Sequence, residues 1–142
     1  MELLVTVGIV LAFTIPVLFL LFSITSVGYE NTAKAQADAS ARSLADTMNF
    51  VYIQGPGAQK LVLLNVPAST ESVSTRPGSS GSAVSGGEAV VSIRTSSGTF
   101  DAASPTFSKV SQSAKITKTG LFVVVVRTNQ NHEVEVVEPS SQ

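Results

Sequence analysis

Residues 3–22 have the sequence LLVTVGIVLAFTIPVLFLLF, an apolar run directly preceded by Glu2. About 20 residues at about 1.5 Å rise each give an α-helix of roughly 30 Å, the hydrocarbon thickness of a bilayer. The run is apolar on every side of such a helix, so its surroundings must be lipid or other apolar helices. The sequence therefore predicts a segment that spans a membrane or lies in the core of a helical assembly.

A cleavable secretory signal is one alternative for this segment. Such signals start with basic residues, have a shorter apolar core and end at a small-residue cleavage site before non-helical sequence. Here the run follows Glu2 rather than Lys or Arg, and the helical pattern continues beyond Phe22. We therefore favour a retained helix over a signal peptide.

The sequence after the apolar run keeps a helical period while its composition becomes polar. Five charges of alternating sign follow at four-residue intervals, which places them along one edge of a helix. A stripe of mostly small residues runs beside them with the i, i+3 and i, i+4 spacing of a buried face. The charges are Glu30, Lys34, Asp38, Arg42 and Asp46, and the stripe comprises Ala33, Ala37, Ala41, Leu44, Ala45, Met48 and Tyr52.

The segment Gly55-Pro56-Gly57 predicts the end of this helix, because Gly tolerates the left-handed C-cap conformation and Pro cannot continue an α-helix. A single helix from Glu2 to Gln54 would be roughly 80 Å long. Pro16 predicts a kink or a loosened turn within its apolar half. Gly28 leaves an alternative open, in which a hinge separates a transmembrane helix from a surface helix.

The composition after Gly57 is typical of β-strands, with short runs rich in Val, Leu and Ile. Residues 123–126 are apolar throughout and predict a central strand covered on both faces, whereas the alternating Val and Glu of the last segment predict an edge strand. Asn129-Gln130-Asn131 predicts the hairpin loop between them. The predicted strands are Lys60–Val66, Ala89–Thr95, Leu121–Thr128 and His132–Glu138, with weaker ones at Thr99–Phe107 and Ala114–Thr119.

Residues 69–87 form a Ser/Gly-rich segment that predicts a long, exposed and mobile loop, with Ser79-Ser80-Gly81-Ser82 as its flexible part. The β region has only about 85 residues, near the lower limit for a domain with its own core. We therefore expect its sheet to pack on the helix stripe through Ala37, Ala41, Leu44, Met48 and Tyr52. Phe50, Phe100, Phe107 and Phe122 are further candidates for that contact, or alternatively for contact with a neighbouring subunit.

The composition argues against several classes of function. Of 142 residues, 44% are hydrophobic and 13% charged, the net charge is −1 and there is no Cys. The sequence therefore lacks a basic patch for nucleic acid, thiolate nucleophiles and Cys-ligated metals. It contains no nucleotide-binding, HExxH or GxSxG motif, and its single histidine, His132, lies at a predicted turn. We expect no enzymatic activity, no cofactor and no metal, and any glycan would be O-linked, because there is no Asn-x-Ser/Thr acceptor.

Together, the N-terminal Glu, the apolar helix with Pro16, the amphipathic continuation through Asp46 and the small β domain resemble an archaeal type IV pilin-like or archaellin-like subunit. The passage from Ala45 through Asn49-Phe50-Val51-Tyr52-Ile53 to Gly57 also resembles archaeal proteins made with class III signal peptides. The resemblance implies an α+β fold, with one long N-terminal helix packed against a small antiparallel sheet. It divides the chain into a filament-core helix (1–28), an amphipathic continuation (29–54) and a β-rich head (55–142).

The resemblance also implies how such a chain is made and used. A prepilin peptidase cuts before the apolar segment; with Glu2 in the family's position, that site would lie upstream of Met1. Pilus assembly machinery then moves the membrane-inserted precursor into a surface filament, whose implied role is adhesion or surface attachment. The implied assembly residues are Glu2, Leu3, Leu4, Val7, Leu11, Phe13, Pro16, Leu18 and Phe22. The alternative is a single-span protein with an extracytoplasmic β domain, such as an archaellum accessory subunit that docks to the envelope.

Overall fold

A computed structural model of the chain describes residues 1–78 and 86–139. Within them the chain forms one long N-terminal helix and small antiparallel sheets, which confirms the predicted α+β class. The chain divides into two compact units, Met1–Thr32 and Ala33–Gln142. The elements are α1 (Glu2–Gln54), β1 (Gln59–Val66), β2 (Thr70–Arg76), β3 (Gly87–Thr95), β4 (Gly98–Thr106), β5 (Lys115–Ile116), β6 (Gly120–Thr128) and β7 (Val134–Val137).

Helix α1 is α-helical through both Pro16 and Gly28. Residues on both sides of Gly28 thus belong to one α-helix rather than to two separate helices. At the other end of α1, Gly55 adopts a positive φ of 94° and its N–H donates to the Tyr52 carbonyl at 3.2 Å. The Gly57 N–H then donates to the Thr128 carbonyl at 3.0 Å, which ties the chain leaving the helix to β6.

The strands form two antiparallel sheets rather than the single sheet that the sequence predicted. One has three strands in the order β1-β6-β7, and the other has four in the order β4-β3-β2-β5. Alternate residues of both sheets meet the buried stripe of α1 in one hydrophobic core. Leu44, Met48, Leu64, Ile93 and Val126 are among its largest fully buried side chains.

The prediction of a hairpin ending in an edge strand is confirmed. β6 lies in the centre of its sheet and pairs antiparallel with β7 at the edge. The Asn129 Oδ1 accepts hydrogen bonds from the N–H groups of Asn131 (3.0 Å) and Glu133 (2.9 Å), which closes the loop. The prediction that β6 is covered on both faces is wrong, because Val124 and Val126 are buried while Val123 and Val125 are only half-buried.

The prediction of one long loop over residues 69–87 is wrong for its first part. Residues Thr70–Arg76 form β2, which pairs with β3 on one side and with β5 on the other. Val73 of this strand is buried in the core, while Ser72 and Ser74 lie on the other face of the strand. The serine-rich sequence is therefore compatible with a β-strand here. The predicted flexible part, residues 79–82, lies outside the described residues. The weak strand predicted at Ala114–Thr119 is reduced to β5, Lys115–Ile116.

Three of the predicted contact aromatics do not enter the core. Phe50, Phe100 and Phe107 are 48%, 38% and 50% exposed, whereas Tyr52 and Phe122 are partly buried and pack against the core. Two of the exposed rings instead contact a lysine ammonium group. Lys60 Nζ lies 4.6 Å from the centroid of the Phe50 ring, and Lys34 Nζ lies 5.5 Å from the centroid of the Phe100 ring. These cation–π contacts keep the rings at the surface.

Candidate assembly surfaces

The apolar half of α1 is the first candidate surface, and every residue from Met1 to Tyr29 is exposed in the chain alone. The apolar side chains predicted for assembly are 48% to 78% exposed, and Glu2 and Pro16 are also exposed. This segment is long and apolar enough to cross a membrane, and none of its apolar window is buried. The apolar side chains concerned are Leu3, Leu4, Val7, Leu11, Phe13, Leu18 and Phe22.

Four hydroxyl groups within this segment donate to carbonyl groups of the helix itself. Thr6, Thr14 and Thr25 donate to the carbonyls four residues earlier, at 2.9, 2.7 and 2.9 Å. Ser26 donates to the Ser23 carbonyl at 2.9 Å. A hydroxyl without a partner is costly in an apolar medium, so these bonds suit the segment to lipid or to a bundle of apolar helices.

Glu2 lies in the first turn of α1, where a carboxylate interacts favourably with the helix dipole. Its backbone carbonyl accepts the Thr6 hydroxyl. No salt bridge joins the Glu2 carboxylate to another group among residues 1–78 and 86–139. The carboxylate is thus positioned at the helix start, with its side chain open to a partner from outside the chain.

The residues predicted to join the helix to the β region lie in its core. Ala37, Ala41, Leu44 and Met48 are fully buried, and Tyr52 packs against them partly buried. Hydrogen bonds between the helix and the β region flank this stripe. The Ser40 hydroxyl donates to the Asn65 carbonyl at 2.7 Å, the Thr128 hydroxyl to the Val51 carbonyl at 3.1 Å, and the Thr106 hydroxyl to Asn49 Oδ1.

The outer face of the three-stranded sheet is a second candidate surface, which the sequence did not predict. Strand register places the side chains that alternate with the core residues on this face. Leu61, Leu63 and Leu121 are 66%, 60% and 65% exposed there. A signal was present, because the unbroken apolar runs in β1 and β6 are typical of strands covered on both faces, and no described residue covers these leucines. The face comprises Gln59, Leu61, Leu63, Asn65, Leu121, Val123, Val125, Arg127, Glu135 and Val137, and we call it the leucine face.

The exposed side chains on the outer face of the four-stranded sheet are mostly polar by contrast, although Val90 of β3 is fully buried on that face. The Ser92 hydroxyl donates to Asp101 Oδ1 at 2.6 Å, and Arg76 forms a salt bridge with Asp101 Oδ2 at 3.2 Å. These partners favour the charged carboxylate and lower the pKa of Asp101 from its ordinary value of 3.8, the Ser92 hydrogen bond contributing most and desolvation opposing it. This face therefore carries a hydrogen-bonded network around Asp101.

The Asp101 network predicts a pH dependence of stability. A lowered pKa in the folded chain means that the contribution is present above pH 3.8 and is lost as the pH falls through the folded value. We expect Asp101→Asn to lower the melting temperature at pH 7. The difference in melting temperature between this variant and the unmodified chain should become smaller as the pH falls below about 4. Thermal unfolding at several pH values measures this, with Asp46→Asn at an exposed position as the control. A constant difference between the melting temperatures of the unmodified chain and Asp101→Asn at all pH values would contradict it.

The chemistry-bearing groups that remain are the other carboxylates and His132. No group of three or more His, Asp or Glu side chains among the described residues could hold a metal ion. His132 occupies the β6–β7 hairpin with a positive φ of 59°, and its ring meets that of Tyr52 edge-on at 4.4 Å. That contact makes His132 part of the packing at the end of α1.

The two candidate surfaces are thus an apolar helix segment and an apolar sheet face. The first has the length and composition of a membrane span, and the second has three exposed leucines on regular strands. Comparison with known proteins finds no family model, curated protein or solved structure that matches this chain.

Proposed function

We propose that this chain is a non-enzymatic structural subunit of an archaeal type IV pilus-like surface filament, used in adhesion or surface attachment. The observation that carries the proposal is α1 itself, whose apolar half is exposed on every side while the same helix supplies a buried stripe to a folded β region. A membrane anchor alone does not require this continuation. A filament subunit does require the continuation, because the helix by which it assembles must also hold its folded β region.

The apolar half needs cover both before and after assembly. Burying an apolar side chain is worth about 1.5–3 kcal/mol relative to water, so a segment of this length cannot stay in water. Lipid supplies the cover in the membrane-inserted precursor, and the same segments of other copies supply it in the filament. Lipid tails are as apolar as leucine, so exchange between the two depends on close packing, for which Gly8 and Ala12 leave room.

Glu2 has a role in this exchange. A charged carboxylate costs about 2.5–3.5 kcal/mol at the centre of a bilayer, and less near its surface. The terminal amine of an adjacent copy would offset that cost within a filament. The proposed partners are therefore copies of the chain, the membrane, a prepilin-peptidase-type enzyme and pilus assembly machinery, with O-linked glycans as a compatible modification and no nucleic acid.

A second candidate function is a single-span protein whose β domain binds a partner outside the cell, such as an archaellum accessory subunit. The internal hydrogen bonds of Thr6, Thr14 and Thr25 allow the helix to stand alone in lipid, as this function requires. The two functions differ in whether the chain forms a polymer.

Detergent removal from the purified full chain distinguishes these functions. We expect filaments that sediment and that show residues 3–22 in a central helical bundle by electron cryomicroscopy. Reconstitution into lipid vesicles provides the comparison for the anchored form. Filaments with this segment facing solvent, or a chain that inserts singly into vesicles and never polymerises, would overturn the proposal.

A further inference from the structure

We propose that the leucine face is a second subunit interface, covered in the filament by another copy of this chain. The inference deepens the proposed function and rests on it. It assigns a docking role to the β region, in addition to the assembly role of the apolar helix.

The leucine face breaks the usual pattern of an antiparallel sheet at a protein surface. Such sheets alternate apolar residues toward the core with polar residues toward water. In β1 the outward Leu61 and Leu63 alternate with the buried Val62 and Leu64, so both faces of the strand are apolar. Leu121 continues the outward apolar surface on β6.

The other sheet of the same unit serves as an internal comparison. On its outer face, Ser72 and Ser74 stand on β2 and Asp101 on β4, the last held by Ser92 and Arg76. The exposed outward side chains of β3 are Glu88 and Arg94, and its outward Val90 is fully buried. Among the described residues, exposed leucines thus occur on the outer face of one sheet alone, which favours an apolar partner for that face.

The charges on the leucine face favour a second copy as its occupant. Arg127 and Glu135 form a salt bridge at 2.9 Å on this face, so they neutralise each other. Lys60, which lines a hollow beside the face, lies over the Phe50 ring. A neutral surface of another copy meets no repulsion from the paired charges of the face. The rest of the face consists of apolar and amide side chains.

The size of the face also favours a copy that is already held nearby. Stable complexes of free proteins bury about 800 Å² on each partner. The three leucines and their half-buried valine neighbours provide a smaller area than that. A contact this small becomes effective when other contacts keep the partners at high local concentration. Neighbouring copies joined through the apolar half of α1 meet that condition.

The surface beside the leucines has room for side chains of the neighbouring copy. A hollow of about 300 Å³ is lined by Gln59, Lys60, Leu61 and Val125. A second hollow of about 230 Å³ lies between the helix and β1, against Ser43 and Leu63. Helical polymers join unlike surfaces of successive subunits, so the neighbour contributes a surface other than its own leucine face.

Thiol labelling of the full chain tests this interface cleanly, because the sequence contains no Cys. We would introduce Leu63→Cys and, separately, Leu121→Cys, with Ala103→Cys on the exposed outer face of β4 as the matched control. Each variant is treated with a maleimide reagent, once dispersed in detergent and once as sedimented polymer. Assembly should slow labelling of both leucine-face thiols roughly tenfold or more, since interface cores exclude solvent, and change the control less than about twofold.

The outcomes separate this inference from the proposed function. Polymers in which both leucine-face thiols label as fast as in the dispersed chain would overturn the interface and leave the filament function standing. Absence of any sedimenting polymer, in the unmodified chain as well, would overturn both. Should one cysteine variant fail to polymerise, the other still gives the labelling ratio, and loss of assembly confined to the leucine-face variants supports the interface.

Discussion

Leu11→Lys is expected to abolish both stable membrane insertion and filament assembly. Leu11 lies in the middle of the apolar run and is 52% exposed in the chain alone. Leucine favours the centre of a membrane helix by about 0.3–0.6 kcal/mol and lysine opposes it by about 2.5–3.5 kcal/mol, so the change costs roughly 3–4 kcal/mol. That corresponds to a loss of roughly two to three powers of ten in the insertion equilibrium.

The measurement is the fraction of chain that resists carbonate extraction from membranes, followed by the fraction that sediments after detergent removal. Asn31→Lys is the matched control, because it adds the same charge at an exposed position of α1 beyond the apolar run. We expect this control to insert and assemble like the unmodified chain. Equal behaviour of Leu11→Lys and Asn31→Lys would show that residues 3–22 are not what the membrane or the polymer contacts.

The helix could be predicted from sequence because its signals are local. The charges from Glu30 to Asp46 and the alanine stripe repeat with helical spacing over several turns, and Asp38 and Arg42 do form a salt bridge at 2.9 Å. The end of the helix could be predicted equally well, since Gly55 takes the positive φ that favours glycine there. Each of these features depends on neighbours within a few residues along the chain.

The strand that the sequence did not predict depends instead on distant partners. β2 has a serine-rich sequence, and it is held by pairing with β3 and β5 and by the Thr75 hydroxyl, which accepts the Ala114 N–H at 3.1 Å. The division into two sheets depends on β1 pairing with β6 across the whole intervening chain. Such long-range register leaves little trace in the residues of either strand alone.

The candidate surfaces show the same division. The apolar half of α1 could be identified from sequence, because a helical run of about 20 apolar residues needs lipid or other apolar helices around it. The leucine face could not, because an unbroken apolar strand is also expected in a fully buried sheet. Only the observed register shows that Leu61, Leu63 and Leu121 are on a face that nothing in the chain covers among the described residues.

Leu44→Ala is expected to destabilise the β region by about 2–5 kcal/mol, a large part of the roughly 5–15 kcal/mol that stabilises a typical domain. Leu44 is fully buried where the helix stripe meets the core strands. Truncation removes its transfer free energy and leaves a cavity, because close-packed neighbours relax only partly. Alanine is a better helix former than leucine, so any loss reflects packing rather than helix propensity.

Thermal unfolding of the detergent-dispersed full chain measures this effect through Tyr52, whose ring meets Phe107 at 6.1 Å and His132 at 4.4 Å. Tyr29→Phe in all variants leaves Tyr52 as the sole tyrosine in a chain without tryptophan. We expect Leu44→Ala to lower the melting temperature by roughly 10–20 °C. Ile53→Ala, on the same helix but 72% exposed, should change it by no more than a few degrees. If both variants had the same melting temperature, the stripe of α1 would not be what holds the β region to the helix. The proposed subunit, which holds its folded region on its assembly helix, would then lose its structural basis.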